Sequence, residues 1–227
     1  MLLVVAALAG VAWFVLENTM DQRDALARIH ELGGVAGFDD ESYGAYVTNG
    51  EKPDPNDSLL ANLNQDVIWI HLANTPTADA DMQCLAGLSS LRILHLPNTK
   101  ISDEGLNHLR RLKRLELLYL DRTRISDNGL QVIAELENLN MLHLIGTDVT
   151  DDGLVHLRSM ENLQWLFLSG TAVTDSGLET LATFPKLEYV ELTGTNVTDE
   201  GVMALTHSSP TIKVQRSTDP RIIKLFK

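Results

Sequence analysis

The sequence predicts an α/β solenoid, a coil of short parallel strands backed by short helices. Three observations carry the prediction. A block of 24 residues recurs without gaps, each block opens on L-x-x-L-x-L, and each then runs through Ser/Thr-Asp into a helical spacing of leucines. The clear blocks begin at Leu91, Leu115, Leu139, Leu163 and Leu187. A looser one, VIWIHLANTPTADADMQCLAGLSS, begins at Val67 and makes six, and a partial seventh follows from Thr211.

Each part of the block has a physical reading. The last leucines of L-x-x-L-x-L alternate with other residues, which is the period of a strand with one buried face. Ile101, Ile125, Val149, Val173 and Val197 continue the core. Ser/Thr-Asp is a helix start, and Asp103, Asp127, Asp151, Asp175 and Asp199 read as N-caps that accept from free amides of the first turn. Leu106, Leu109 and Leu112 give one apolar helical stripe. Gly105, Gly129, Gly153, Gly177 and Gly201 fall in the first helical turn, where glycine costs stability, so they predict close approach between turns. Thr75, Thr99, Thr123, Thr147, Thr171 and Thr195 follow the strands, where their hydroxyls can satisfy carbonyls as the chain turns. No single block buries its own apolar faces. Stacking block on block does, with a continuous core and a parallel sheet.

Residues 67–210 on this evidence resemble the leucine-rich repeat family. The I/V-S/T-D-x-G-L segment is similar to the cysteine-containing subclass, with threonine where that subclass has its cysteine. The resemblance implies a right-handed α/β arc of six repeats, strands on the concave side and helices on the convex side. It also implies binding of other macromolecules rather than catalysis. The subclass includes substrate-recognition subunits of ubiquitin ligases, but no F-box-like segment is visible here. The chain also resembles planctomycete-type membrane-anchored repeat proteins, in which a helix ending in L-G-G follows the anchor, as in ALARIHELGG.

The ends divide the rest. Residues 1–16, MLLVVAALAGVAWFVL, carry no charge and as a helix would rise about 24 Å, against a hydrocarbon core of about 30 Å. A signal-anchor, a cleaved signal peptide and a buried helix are the competing readings, and the anchor is preferred because the run leads directly into a helical pattern. Residues 17–66 read as an N-terminal cap. Leu26, Ile29 and Leu32 form a helical stripe that Gly33-Gly34 ends. Residues 35–57 are rich in Gly, Asp, Asn and Pro, and EKPDPND from Glu51 reads as loop, with a flexible linker as the rival between Glu41 and Asp57. DSLLANL from Asp57 reads as a short helix. Residues 211–227 supply a last strand, TIKVQ, and a tail, RIIKLFK, that either closes the final core or docks on a membrane or partner.

Net charge is −13, which argues against nucleic-acid binding. One cysteine, Cys84, excludes a disulfide framework and a multi-cysteine metal site. HELGG at His30 lacks the second histidine of a zinc-protease motif, and no P-loop, G-x-G-x-x-G or G-x-S-x-G occurs. Nothing calls for a cofactor, and no enzyme is predicted. The charge is uneven. From Arg92 to Arg124 there are eight basic residues and four acidic, and from Ile125 to Ile212 two basic and thirteen acidic.

The strand register turns the flanking residues outward: Trp69, His71 and Ala73; Ile93, His95 and Pro97; Leu117, Tyr119 and Asp121; Met141, His143 and Ile145; Trp165, Phe167 and Ser169; Tyr189, Glu191 and Thr193. An apolar patch rich in Trp and Tyr is a candidate binding surface. The partner-binding set is Trp69, His71, His95, Leu117, Tyr119, Met141, His143, Trp165, Phe167, Tyr189 and Glu191. Strands favour such residues in any case, and the face can be covered by residues 35–57 or by a second copy. His71 and His95 share a column, but Tyr119 interrupts it and no carboxylate or cysteine stands near, so no metal is assigned.

The reading is a non-catalytic module that holds a protein or peptide on an aromatic concave face. It would be tethered through residues 1–16, with the repeats on the extracytoplasmic side. The alternatives are a self-associating envelope protein and a degradation adaptor.

Overall fold

The computed structural model describes residues 22–38 and 66–217. The stretch 1–16, the loop from Glu51, the helix expected from Asp57 and the tail RIIKLFK lie outside the described residues. Among the described residues no helix is long and apolar enough to cross a membrane.

The solenoid is as expected. Helix α1 (Gln22–Glu31) buries Ala25, Leu26 and Ile29 against the first repeat. Its Arg28 donates to Asp81 in that repeat at 2.6 Å. Seven strands follow one another at the 24-residue period: β2 (Trp69–His71), β3 (Ile93–His95), β4 (Leu117–Tyr119), β5 (Met141–His143), β6 (Trp165–Phe167), β7 (Tyr189–Glu191) and β8 (Lys213–Gln215). They pair in parallel and in chain order, each residue opposite its counterpart in the next repeat, as in Leu94 with Leu118 and Leu118 with Leu142. The central residue of β2 to β7 is fully buried in every case. Strand β1 (Val35–Gly37) pairs antiparallel with β2. No strand is expected at residues 35–37 from the sequence, which is rich in Gly, Asp, Asn and Pro from there to residue 57. The strand hides there because V-A-G between glycine-rich flanks has the composition of a turn.

Behind the strands lie α2 (Asp103–Leu106), α3 (Asp127–Ile133), α4 (Asp151–Leu154), α5 (Asp175–Leu181) and α6 (Asp199–Ser208). The first repeat has only a 3₁₀ helix, Asp79–Leu85, and α2 and α4 run into 3₁₀ turns at Asn107–Leu109 and Val155–Ser159. Leucines strictly three apart, as at Leu106, Leu109 and Leu112, suit three residues per turn better than 3.6.

The turn after each strand needs a left-handed residue. Asn74, Asn98, Arg122, Gly146, Gly170 and Gly194 supply it, with φ between 54° and 75°. The threonine that follows donates its hydroxyl to the carbonyl three residues earlier, at 2.5–2.7 Å in all six repeats. The threonine column therefore satisfies carbonyls within its own repeat.

The aspartate column is not the N-cap. Ser102, Ser126, Thr150, Thr174 and Thr198 hold that position, and each aspartate is the first helical residue. Its carboxylate instead reaches the next repeat, where one oxygen accepts the backbone N–H of the next cap and the other accepts its hydroxyl. Asp127 does so to Thr150 at 2.8 and 2.7 Å. The same pair of bonds joins Asp79 to Ser102, Asp103 to Ser126, Asp151 to Thr174 and Asp175 to Thr198. The glycine column follows from this. A Cβ at Gly105, Gly129, Gly153, Gly177 or Gly201 would collide with the carboxylate of the preceding repeat's aspartate. At the end of the series Asp199 pairs with Arg216.

If the glycine exists for the carboxylate, Gly153→Ala costs about 2 kcal/mol in wild type and less than about 1 kcal/mol beside Asp127→Ala. Urea midpoints of the four proteins in that cycle measure it. An equal cost in both backgrounds would assign Gly153 some other duty.

Candidate functional site

Two columns of side chains stand on the sheet face away from the helices. The first strand position gives Trp69, Ile93, Leu117, Met141, Trp165, Tyr189 and Lys213, and the third gives His71, His95, Tyr119, His143, Phe167, Glu191 and Gln215. Parallel strands about 4.8 Å apart hold like-placed rings at stacking distance. Ring centroids are 5.2 Å apart for His71–His95, 3.8 Å for His95–Tyr119, 4.4 Å for Tyr119–His143 and 3.8 Å for His143–Phe167. Phe167 then meets Tyr189 across the columns at 5.4 Å. The rings thus brace one another along the sheet, which fixes their orientation.

Access differs from one end to the other. Trp69 is 0% exposed and Ile93 is 6% exposed. Leu117, Met141, Trp165 and Tyr189 are half-buried, as are Phe167 and Glu191. Trp69 therefore leaves the partner-binding set. The backbone of β1 passes over its indole, so closely that a Cβ at Gly37 would collide with the ring. The outward register was right for Trp69, but the chain itself lies on top. His71 and His95 are half-buried at this covered end, and both have further partners. Burial first, then the neighbouring His71 and His143, pull the His95 imidazole down to about 3. It is neutral at physiological pH.

On the open half, the Tyr119 hydroxyl lies 3.5 Å from the Met141 sulfur. His143 Nδ1 lies 3.5 Å from Asp121, whose other oxygen accepts the Ile145 N–H at 2.9 Å. Desolvation and then the Glu191 charge raise the Tyr189 phenol. The outermost flanking column serves the sheet instead. Ser169 accepts the Thr193 N–H, and Thr193 accepts the Ser217 N–H, each at 3.1 Å. Ser169 and Thr193 are buried for that reason and present nothing to a ligand.

A second feature escaped the sequence reading. Just ahead of β4 to β6 lies a polar cleft of about 420 Å3, lined by Arg92, Arg114, Glu116, Asn138, Asn140 and Gln164 among others. Arg92 grips Glu116 through two bonds of 2.8 and 2.9 Å. Opposite charges at one register position, 24 residues apart, were the available signal. Among the described residues no group of three His, Cys, Asp or Glu side chains is placed to hold a metal. Cys84 is buried, and desolvation pushes its thiol up to about 11, which makes it a poor nucleophile.

The Leucine Rich repeat family matches residues 185–205. Among solved structures, an internalin (inlF) from Listeria monocytogenes is similar at 17% identity and a TM-score of 0.52, over 88% of this chain and 56% of its own. An internalin C2 (inlC2) from the same organism is similar at 21% identity and a TM-score of 0.49, over 82% of this chain and 89% of its own. A pollen receptor kinase 3 is similar at 16% identity and a TM-score of 0.45, over 69% and 76%. No curated protein matches the sequence. The fold is a leucine-rich repeat solenoid, and at these identities the likeness is one of fold.

A folded imidazole near 3 against about 6.5 when unfolded means that the unfolded chain takes up the extra proton between those values. Stability therefore falls as the pH drops from about 6.5 toward about 3. His95→Gln shrinks the fall in urea midpoint between about pH 7 and about pH 5. A fall of unchanged size would show that His95 is not held neutral.

Proposed function

We propose that this chain is a non-catalytic binding module that captures a protein or peptide on the open half of its sheet face. One observation carries the reading. Leu117, Met141, Trp165 and Tyr189 sit side by side on four adjacent strands, half-exposed, on a backbone that neighbouring repeats lock in place. Large rings already held in one orientation lose little freedom on binding, and Trp and Tyr are the side chains that most often dominate interface energies. Tyr119, His143, Phe167 and Glu191 form the adjoining row. His71 and His95 lie at the covered end and contribute less.

The uncharged run at residues 1–16 tethers the module to a membrane, with the repeats on the extracytoplasmic side. No group on the face has the arrangement of a nucleophile with a base, so the site recognises rather than reacts. Self-association of the same face is the competing occupancy, and light scattering over a concentration series separates it from capture of another protein.

Trp165→Ala with Phe167→Ala weakens capture in a crosslinking pull-down by at least about tenfold, since each ring is worth on the order of 1–2 kcal/mol at an interface. The double variant stays folded with a lower urea midpoint, because both rings are half-buried and Phe167 stacks on His143, so capture is compared under conditions where both proteins are folded. Undiminished capture by a folded double variant would remove the sheet face as the site.

A further inference from the structure

We propose that the polar cleft ahead of β4 to β6 completes the binding site and reads an acidic residue of an extended polypeptide. The inference rests on the open face being a polypeptide site. The cleft adjoins the face along the chain, because Glu116, Asn140 and Gln164 in the cleft directly precede Leu117, Met141 and Trp165 on the strands. A segment laid across the strand starts therefore meets polar groups on one side and apolar groups on the other.

The polar side has unused capacity. Asn140 Oδ1 is buried without a hydrogen-bond partner. A buried amide oxygen without a donor is costly, and turning the amide outward onto a docked main chain removes that cost. Asn138 uses its amide N–H on the Lys113 carbonyl at 2.7 Å, so its oxygen is the end left for a ligand. These are donors and acceptors of the kind a peptide backbone needs.

Charge sets the side chain that is read. Within the cleft Glu116 is matched by Arg92. Arg114 pairs with no carboxylate among the described residues and is the uncompensated charge of the lining. Residues 92–124 carry eight basic and four acidic side chains, whereas 125–212 carry two and thirteen. Arg92 and Arg110 are answered by Glu116 and Glu135, which leaves Arg114 as the cation of the cleft and the acidic excess toward β7. From β4 to β7 is about 14 Å, three strand spacings, and more than the Debye length of about 8 Å, so the two ends act separately. Glu188 and Glu191 at β7 repel a carboxylate. The ligand accordingly places its acidic residue over β4 at Arg114 and its apolar side chains over β5 and β6, on Met141 and Trp165.

The test uses the full chain on an immobilised library of random octapeptides. The expected preference is Asp or Glu near an aliphatic or aromatic residue. Arg114→Glu, at an exposed position, lowers binding of those peptides on the order of tenfold and shifts the preference to Lys or Arg. Trp165→Ala lowers binding of every peptide. An apolar preference without an acidic residue, lost in Trp165→Ala but unchanged in Arg114→Glu, refutes the cleft and leaves the face. Capture indifferent to both substitutions, or no capture by wild type, refutes both.

Discussion

The carboxylate that opens each helix holds two groups of the following repeat, the N–H and the hydroxyl of its capping Ser or Thr. A carboxylate bonded in this way is strong because its acceptor is charged and both bonds are short. Five such bridges run from Asp79 to Thr198. They fix the helix side of every repeat at one spacing, and the parallel ladder fixes the strand side. The glycine in each first turn is the space that the carboxylate occupies. The capping Ser or Thr, the Asp and the Gly are thus one device spread over two repeats. Its direction matters as well, since each repeat donates to the one before it. The last aspartate of the column, Asp199, pairs with Arg216.

The proposed function rests on that spacing. Side chains at one register position recur at the strand separation, which suits stacked rings. The ladder from His71 to Phe167 is therefore both packing and surface. At the α1 end the chain folds β1 over Trp69, which is interior there, while His71 and His95 are half-buried. Toward β6 and β7 the same rings face outward. One geometric rule yields a covered end and an open end, and the proposed recognition belongs to the second.

Much of this was legible in the residues. Aliphatic positions recur at a fixed interval, and burial has no other way to satisfy them, so the strands and the core could be read directly. The aspartate column was misread for a physical reason. Ser, Thr and Asp all cap helices, and Ser-Asp or Thr-Asp offers two adjacent candidates. Only the partner in the next repeat distinguishes cap from bridge. Trp69 was misread because alternation gives the direction of a side chain and says nothing of what lies above it. The polar cleft was missed because its members, Glu116, Asn140 and Gln164, sit one residue ahead of the strands, where no alternation applies. The pair Arg92–Glu116 shows that opposite charges at one repeat position are worth searching for.

The account stands on the claim that the open half of the sheet face is rigid, exposed and used. Residue-by-residue side-chain oxidation of the intact chain addresses this most directly. In the free protein Met141, Trp165 and Tyr189 should oxidise readily while Trp69 stays inert, and capture of a partner should slow those three together. Trp165 as inert as Trp69 in the free chain, or protection that falls on the helices while the three continue to react, would contradict it.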